Sequence, residues 1–293
     1  MASISYENRT TEEILCDACD DNDLFTVQKI VDAGLPISQE TLNRAASTAA
    51  HSEDAQVLRF LLERGASVNG RQLLPGACNK LEMLQAMYDY GWHAEQINQD
   101  MKEYPYMQII VSNVPILEWL LEHGMDPNLP GDRRTDPIRG HLTPLNAAAF
   151  RGRFTEDAVN SLKLLVSRGA VLDPFVLENA IGLDVRGGRR YSRKVVQWLV
   201  GHGADVNYRM QSGATLLYAA VEAENFELVT TLLELGADAS ERDPRSGMTP
   251  LERARAQGLE EIGDVIDYSE DLIGGKSSYV GLSRLDIKLA VAV

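Results

Sequence analysis

Residues 215–240 read TLLYAAVEAENFELVTTLLELGADAS, and this stretch decides what the chain builds. The hydroxyl of Thr215 is suited to capping an orphan backbone N–H, which marks a helix start. Ala219 and Ala220 then let a neighbouring helix approach closely. Ala223, Glu224 and Asn225 predict a turn, and a second helix is expected from about Phe226 to Leu235. Gly236 ends it, because only Gly adopts the left-handed conformation cheaply. Thr215 to Gly236 is 21 residues, enough for two short helices.

The second half of this pattern recurs along the chain. VLRFLLERGASVN ending at Asn69, ILEWLLEHGMDPN at Asn128, SLKLLVSRGAVLD at Asp173, VVQWLVGHGADVN at Asn207 and LVTTLLELGADAS at Ser240 share an apolar helical stripe, a polar pair, Gly and a small turn. Weaker copies end at Gly34 and Gly91. Successive glycines Gly34, Gly65, Gly91, Gly124, Gly169, Gly203 and Gly236 are spaced 31, 26, 33, 45, 34 and 33 residues apart. A fixed period of this size overrides element-by-element reading. A second signature lies upstream, in Thr143-Pro144-Leu145, Thr215-Leu216-Leu217 and Thr249-Pro250-Leu251. Pro at the first helical position loses no hydrogen bond and already has the required φ.

This helix–turn–helix unit of about 33 residues, with T-P-L-x-x-A and L-L-x-x-G-A-D-x-N, resembles the ankyrin repeat family. The resemblance implies an all-α fold: an ankyrin-type helical repeat solenoid with short β-hairpin fingers. About eight repeats are expected over residues 10–270, with first helices beginning near residues 11, 40, 72, 106, 143, 175, 215 and 249. Each unit is too small to bury its apolar face and is stable only when stacked on its neighbours. Leu61 and Leu62, Leu120 and Leu121, and Leu232 and Leu233 are expected to form one ribbon of core, joined by Trp119 and Trp198. The family's histidine in T-P-L-H is replaced by Asn146, Tyr218 and Glu252, which predicts a change in the hydrogen bonds that brace its fingers.

Departures from the period mark candidate binding sites, since insertions in a repeat array go to loops. Fifteen positions separate Asn128 from Thr143 against eight between Asn207 and Thr215, so residues 129–141 form a long finger. It holds Arg133, Arg134, Asp136, Arg139 and His141, and its arginines suit bidentate capture of carboxylates. In the family, fingers and first helices make a concave recognition surface. The resemblance therefore adds Phe150, Tyr208, Arg209, Tyr218, Arg242 and Arg245 to the expected partner-binding set. A second insertion, residues 182–194, contains the basic loop of Arg186, Arg189, Arg190 and Arg193 and falls on the edge opposite the fingers, joined by Arg151 and Arg153. It reads either as a solvated surface loop or as a docking site for an acidic segment. Residues 271–293 lie outside the repeat, as a cap on the last unit or a detachable peptide.

The chain has 293 residues, with 28 Lys and Arg against 43 Asp and Glu, a formal net charge of −15. A surface of that sign repels phosphate backbones and anionic lipids, so neither nucleic acid nor membrane is an expected partner. No apolar run approaches the roughly 20 residues that span a bilayer. The N-terminus has no apolar h-region. Cys16, Cys19 and Cys78 are odd in number, which suits a reducing compartment and predicts a cytoplasmic or nuclear location.

Chemical motifs are sparse. Cys16-x2-Cys19 lacks two further zinc ligands. Gly274-Gly275-Lys276-Ser277 lacks the first glycine and preceding strand of a phosphate loop. Asp17, Asp20, Asp21 and Asp23 lack the glycine and closing Glu of a calcium loop and read as a solvated turn. No metal site and no cofactor is expected, and no catalytic residue is assigned. The function expected is a protein–protein interaction scaffold or adaptor that binds another protein through the concave face and the finger 129–141. The alternative is a small-molecule-binding or catalytic relative whose inserted loops close a pocket over that groove.

Overall fold

The computed structural model describes residues 9–34, 36–101, 106–130, 143–155, 158–182 and 191–273. The chain divides into two compact units, one of residues 1–144 with 163–170, the other of residues 145–162 with 171–293.

The first unit holds α1 (Thr11–Asp20), α2 (Leu24–Asp32), α3 (Gln39–Ala49), α4 (Gln56–Glu63), α5 (Gly70–Ala77), α6 (Leu81–Asp89), α7 (Ala94–Asp100), α8 (Tyr106–Ile110) and α9 (Val114–Glu122). Helices α1, α3, α5 and α7 pack in succession as one layer, and α2, α4 and α6 form a second layer behind them. Next come α10 (Pro144–Arg151) and α11 (Ala158–Ser167), and the division between units runs through α11. The second unit continues with α12 (Val176–Ile181), α13 (Arg193–Gly201), α14 (Leu216–Glu222), α15 (Phe226–Glu234), α16 (Pro250–Ala256) and α17 (Glu260–Ile273). Here α14 packs on α16 and α15 on α17, again two layers of paired helices. The fold is an all-α helical repeat.

Local chemistry explains the helix ends. Thr215 accepts a hydrogen bond from the Tyr218 N–H at 3.2 Å, and Asn225 caps α15 through the Leu228 N–H at 3.1 Å. Thr249 and Glu252 make a reciprocal capping box around Pro250. The seven repeat glycines all have positive φ, from 70° at Gly34 to 111° at Gly91. A conserved geometry follows them in space: Asn98 donates to the Gly124 carbonyl at 2.9 Å and accepts from Asp126, while Asn207 accepts from Asp238. The turns after Gly124 and Gly236 are thereby tied to the preceding repeat. The Lys80 ammonium reaches the carbonyls of His51 and Ser52, at 2.5 and 2.7 Å, just past the C-terminus of α3, where the helix dipole favours a cation.

First helices begin at residues 11, 39, 70, 144, 176, 216 and 250, within two residues of expectation. The fourth repeat has its expected helix, α8, from Tyr106, and a further helix, α7, that was not expected, from Ala94. Only two residues separate Gly91 from α7, which packs on α5, with Trp92 fully buried and its indole N–H bonded to Asp100 at 2.9 Å. The shorter α8 then packs on α9.

The core ribbon also needs correction. Leu61, Leu62, Leu120 and Leu232 are buried, but Leu121, Leu233, Trp119 and Trp198 are half-buried. Adjacent residues on a helix point about 100° apart, so Leu120 and Leu199 take the core and each Trp turns to the flank. There Trp119 stacks on His123 at 4.1 Å and Trp198 on His202 at 3.9 Å. Nor do the expected β-hairpin fingers form ladders among the described residues. One antiparallel bridge joins Arg209 to Thr215, because the finger is too short for further pairs before Thr215 caps α14. Helix α17 runs three residues past the expected end of the repeats, and residues 274–293 lie outside the described residues.

Candidate functional site

The finger side of the second unit is built from residues that hold one another in place. Tyr218 is only 1% exposed and its hydroxyl meets that of Ser246 at 2.7 Å. It is therefore a brace inside the fold, not the surface aromatic the sequence suggested, because the first turn of α14 faces the next finger. Glu252 binds the Arg242 guanidinium at 2.8 and 3.0 Å, and Asn146 bridges Asp173 and Asn179. The three residues that replace the family's histidine thus supply cross-repeat hydrogen bonds of their own, by hydroxyl, carboxylate and amide.

Arg209 bonds the Gly213 carbonyl at 2.9 Å and pairs with Glu241, and Arg242 also bonds the Gly247 carbonyl at 2.6 Å. Both guanidiniums are committed within the fingers. Arg245 projects, 63% exposed, and approaches the Asp243 carboxylate at 3.9 Å. Asp243 organises this finger: its carboxylate accepts the N–H groups of Arg245 and Ser246, at 3.2 and 2.8 Å. Burial raises its pKa, but those bonds and the Arg245 charge outweigh burial and hold it below the usual carboxylate range.

Tyr208 lies against Phe175, their ring centroids 5.9 Å apart at 71°, and Phe175 is 38% exposed. Glu178 on α12 has one carboxylate oxygen buried with no hydrogen-bond partner, and burial raises its pKa. Burial, with the negative charges of Glu178 and Asp173, also raises the Tyr208 phenol. Phe150 does not join this group. It lies at the other end of α10, edge-on to Phe154 at 5.8 Å, with the Arg153 guanidinium over its ring at 5.2 Å.

That end of the repeats carries an open groove of about 540 Å³, lined by Arg153, Phe154, Tyr191, Arg193, Lys194 and Gln197 with neighbouring backbone. Arg193 of the basic loop is placed here, paired with Glu234. Arg186, Arg189 and Arg190 lie outside the described residues, as do Arg133, Arg134, Asp136, Arg139 and His141 of the long finger. Phe154 and Phe175 were not singled out from sequence. The signal available was their position: a large aromatic in a turn, off the apolar helical stripe.

In the first unit, Tyr88 meets His93, Trp119 and His123 edge-on at 4.8, 5.6 and 4.7 Å. The acidic run near residue 20 is a turn, in which Asn22 is left-handed and Asp23 caps α2 through the Thr26 N–H at 3.1 Å. Among the described residues, no group of three His, Cys, Asp or Glu side chains is arranged to hold a metal ion, and no helix is long and apolar enough to cross a membrane.

Comparison with known proteins identifies part of this architecture. Residues 188–267 match the family model for ankyrin repeats, in three copies. The chain is 42% identical over 69 residues to Potassium channel AKT1 of Arabidopsis thaliana, covering 24% of this chain and 8% of that protein. It is 33% identical over 121 residues to the B-cell lymphoma 3 protein homolog of Mus musculus, covering 41% of this chain and 26% of that protein. With the Nuclear factor NF-kappa-B p105 subunit of Gallus gallus it shares 28% identity over 189 residues, 63% of this chain and 18% of that protein. The matches thus span about a quarter or less of these relatives' lengths.

Proposed function

We propose, for a chain that carries ankyrin repeats in residues 188–267, a role as a scaffold or adaptor that binds another protein. The repeat array extends over residues 10–270 in this reading, and recognition uses the first-helix and finger side together with the long finger 129–141. The observation that carries it is the bracing of the finger side. Tyr218, Glu252, Arg209, Asn146 and Asp243 fix the fingers through hydrogen bonds within the chain, leaving Arg245, Phe175 and Tyr208 displayed on a rigid frame. A surface ordered before it meets its partner loses little side-chain entropy on binding. The half-buried Tyr208 and exposed Phe175 offer the aromatic anchor that such interfaces favour, and the long finger supplies cations for carboxylates. Three free cysteines, two of them buried, fit the cytoplasm or nucleus as its compartment.

The test is a quantitative pull-down from the source lysate with three forms of the chain: native, Arg133→Glu/Arg134→Glu/Arg139→Glu, and Tyr208→Ala/Arg245→Glu. A protein recovered by the native chain and lost with both variants supports the reading. Equal recovery by all three, or recovery of nothing, sinks it.

A further inference from the structure

We infer that Phe175, Tyr208, Glu178 and Asp173 form a niche in the second unit that receives an arginine side chain of the partner protein. The inference rests on the protein-binding role proposed above and names the chemistry that one part of that surface recognises.

The first argument is a carboxylate whose charge nothing meets. One oxygen of Glu178 is buried without a hydrogen bond, and the other, which is not enclosed, has no partner among the described residues either. Burial alone raises its pKa, with no nearby cation to counter it. A buried acceptor left unbonded costs stability. A positively charged donor reaching the accessible oxygen from outside the chain therefore gains more than it would at an acid already paired.

The second is the pair of rings beside this acid. Phe175 is 38% exposed, and the half-buried Tyr208 lies edge-on to it at 5.9 Å. Glu178 and Asp173 are both close enough for their charges to raise the Tyr208 phenol, so rings and acids share one place. A guanidinium is planar and weakly hydrated, stacks on aromatic faces and carries several donors in one fork. It can lie on the Phe175 ring and still donate to a carboxylate. The compact ammonium of lysine is more strongly hydrated and loses more on entering such a niche.

The third is order without neutralisation. The Asp173 carboxylate accepts the Phe175 N–H at 2.8 Å and the amide of Asn146. Asn146 in turn accepts from the Asn179 amide at 3.1 Å, and that amide also donates to the Phe175 carbonyl at 3.0 Å. These bonds fix Asp173 and the backbone of Phe175 before any ligand arrives, and every donor in them is neutral. Two acids thus stay uncompensated by any described cation while their surroundings are held in place.

Two-dimensional NMR titration of the full isotope-labelled chain tests this, with a short peptide of Gly and Leu carrying one central Arg. The controls replace that Arg with citrulline, which keeps the shape without the charge, or with Lys. The Arg peptide is expected to bind at least about tenfold more tightly than the citrulline peptide, a difference near 1.4 kcal/mol, and several-fold more tightly than the Lys peptide. The amide signals of residues 173–179 and 208 should move. Glu178→Gln, which removes an unmet charge, and Phe175→Ser, at an exposed ring, should each weaken binding several-fold without lowering the melting temperature. Equal binding of either control peptide, or wild-type affinity in both variants, overturns the assignment. So does a response confined to other residues, or failure of the native chain to bind. A pull-down with Glu178→Gln separates this inference from the reading beneath it. A partner recovered equally by the native chain and by Glu178→Gln removes the arginine niche and leaves the scaffold standing, whereas recovery of nothing by the native chain removes the scaffold itself.

Discussion

Asp243 and Glu178 are carboxylates in the same compact unit with opposite consequences for stability. Asp243 accepts two backbone N–H groups, so its folded pKa lies below the unfolded value. Its stabilisation is therefore fully present above the unfolded carboxylate pKa of about 4 and is lost as pH falls through the lower folded value. Asp243→Ala should cost about 1–3 kcal/mol at neutral pH. In thermal melts the gap between variant and wild type should narrow steadily with acid, and a gap that stays constant would show that the carboxylate charge is not what matters. Glu178 has a raised pKa from burial, and one of its oxygens is unbonded. Its ionised form opposes folding at neutral pH. Glu178→Gln should accordingly raise the melting temperature at pH 7 and lose that advantage as pH falls below the folded value. Neither behaviour can be read from residue type, since both are acids on ordinary repeat positions and their partners come from the fold.

Helix ends and helix faces make different demands on glycine. Gly203, with φ 101°, ends α13 in the left-handed region, and a Cβ there would meet nothing within 4 Å. Gly76 sits inside α5 with ordinary backbone, yet its Cβ would lie 2.6 Å from the carbonyl carbon of Ala50. Gly203→Asn should be nearly neutral, because Asn tolerates that conformation, whereas Gly203→Val should cost more than about 1 kcal/mol. Gly76→Ala should be the more damaging, by about 1–3 kcal/mol from overpacking against rigid backbone. Urea titration of the three variants checks the order. If Gly76→Ala proves harmless, the close approach of α5 to the end of α3 is wrong. The first of these glycines announces itself by recurring before each short turn. The second has no sequence signal, because the neighbour that excludes a side chain is 26 residues earlier in the chain.

Repeat arrays hold together through nearest-neighbour contacts, and a terminal unit leaves one face without a neighbour. Helices α16 and α17 form the last described pair, and α17 ends at Ile273. The apolar residues Leu285, Ile287, Leu289 and Val291 of the following segment alternate with polar ones and suit a cover for such a face. Removing residues 274–293, which leaves α17 whole, should lower the melting temperature if the segment caps the array. An unchanged melt would favour a segment that detaches to bind elsewhere.

The helix pairs, their two-layer stacking and most of their starting points were legible in the sequence alone. Thr or Asn caps, apolar stripes and left-handed glycines are local signals, and their recurrence at a nearly constant period repeats the same instruction. Where that period broke, local reading failed. The extra helix α7, which packs on α5, was missed, and the half-buried places of Trp119 and Trp198 depend on which neighbouring residue faces the core. The candidate sites were legible only as compositions. Arg209 and Arg242 looked equivalent to Arg245, and Tyr218 looked like a surface aromatic. Only the fold committed the first two to bonds, buried the third and left Arg245 projecting, because these outcomes depend on which partners packing brings within reach, such as Glu241 for Arg209 and Ser246 for Tyr218. The groove of Arg153, Phe154 and Lys194 likewise exists only when two turns from successive repeats are brought side by side. Spacing along the chain specifies which helices form, whereas the distances that give charges and rings their chemistry are set by packing.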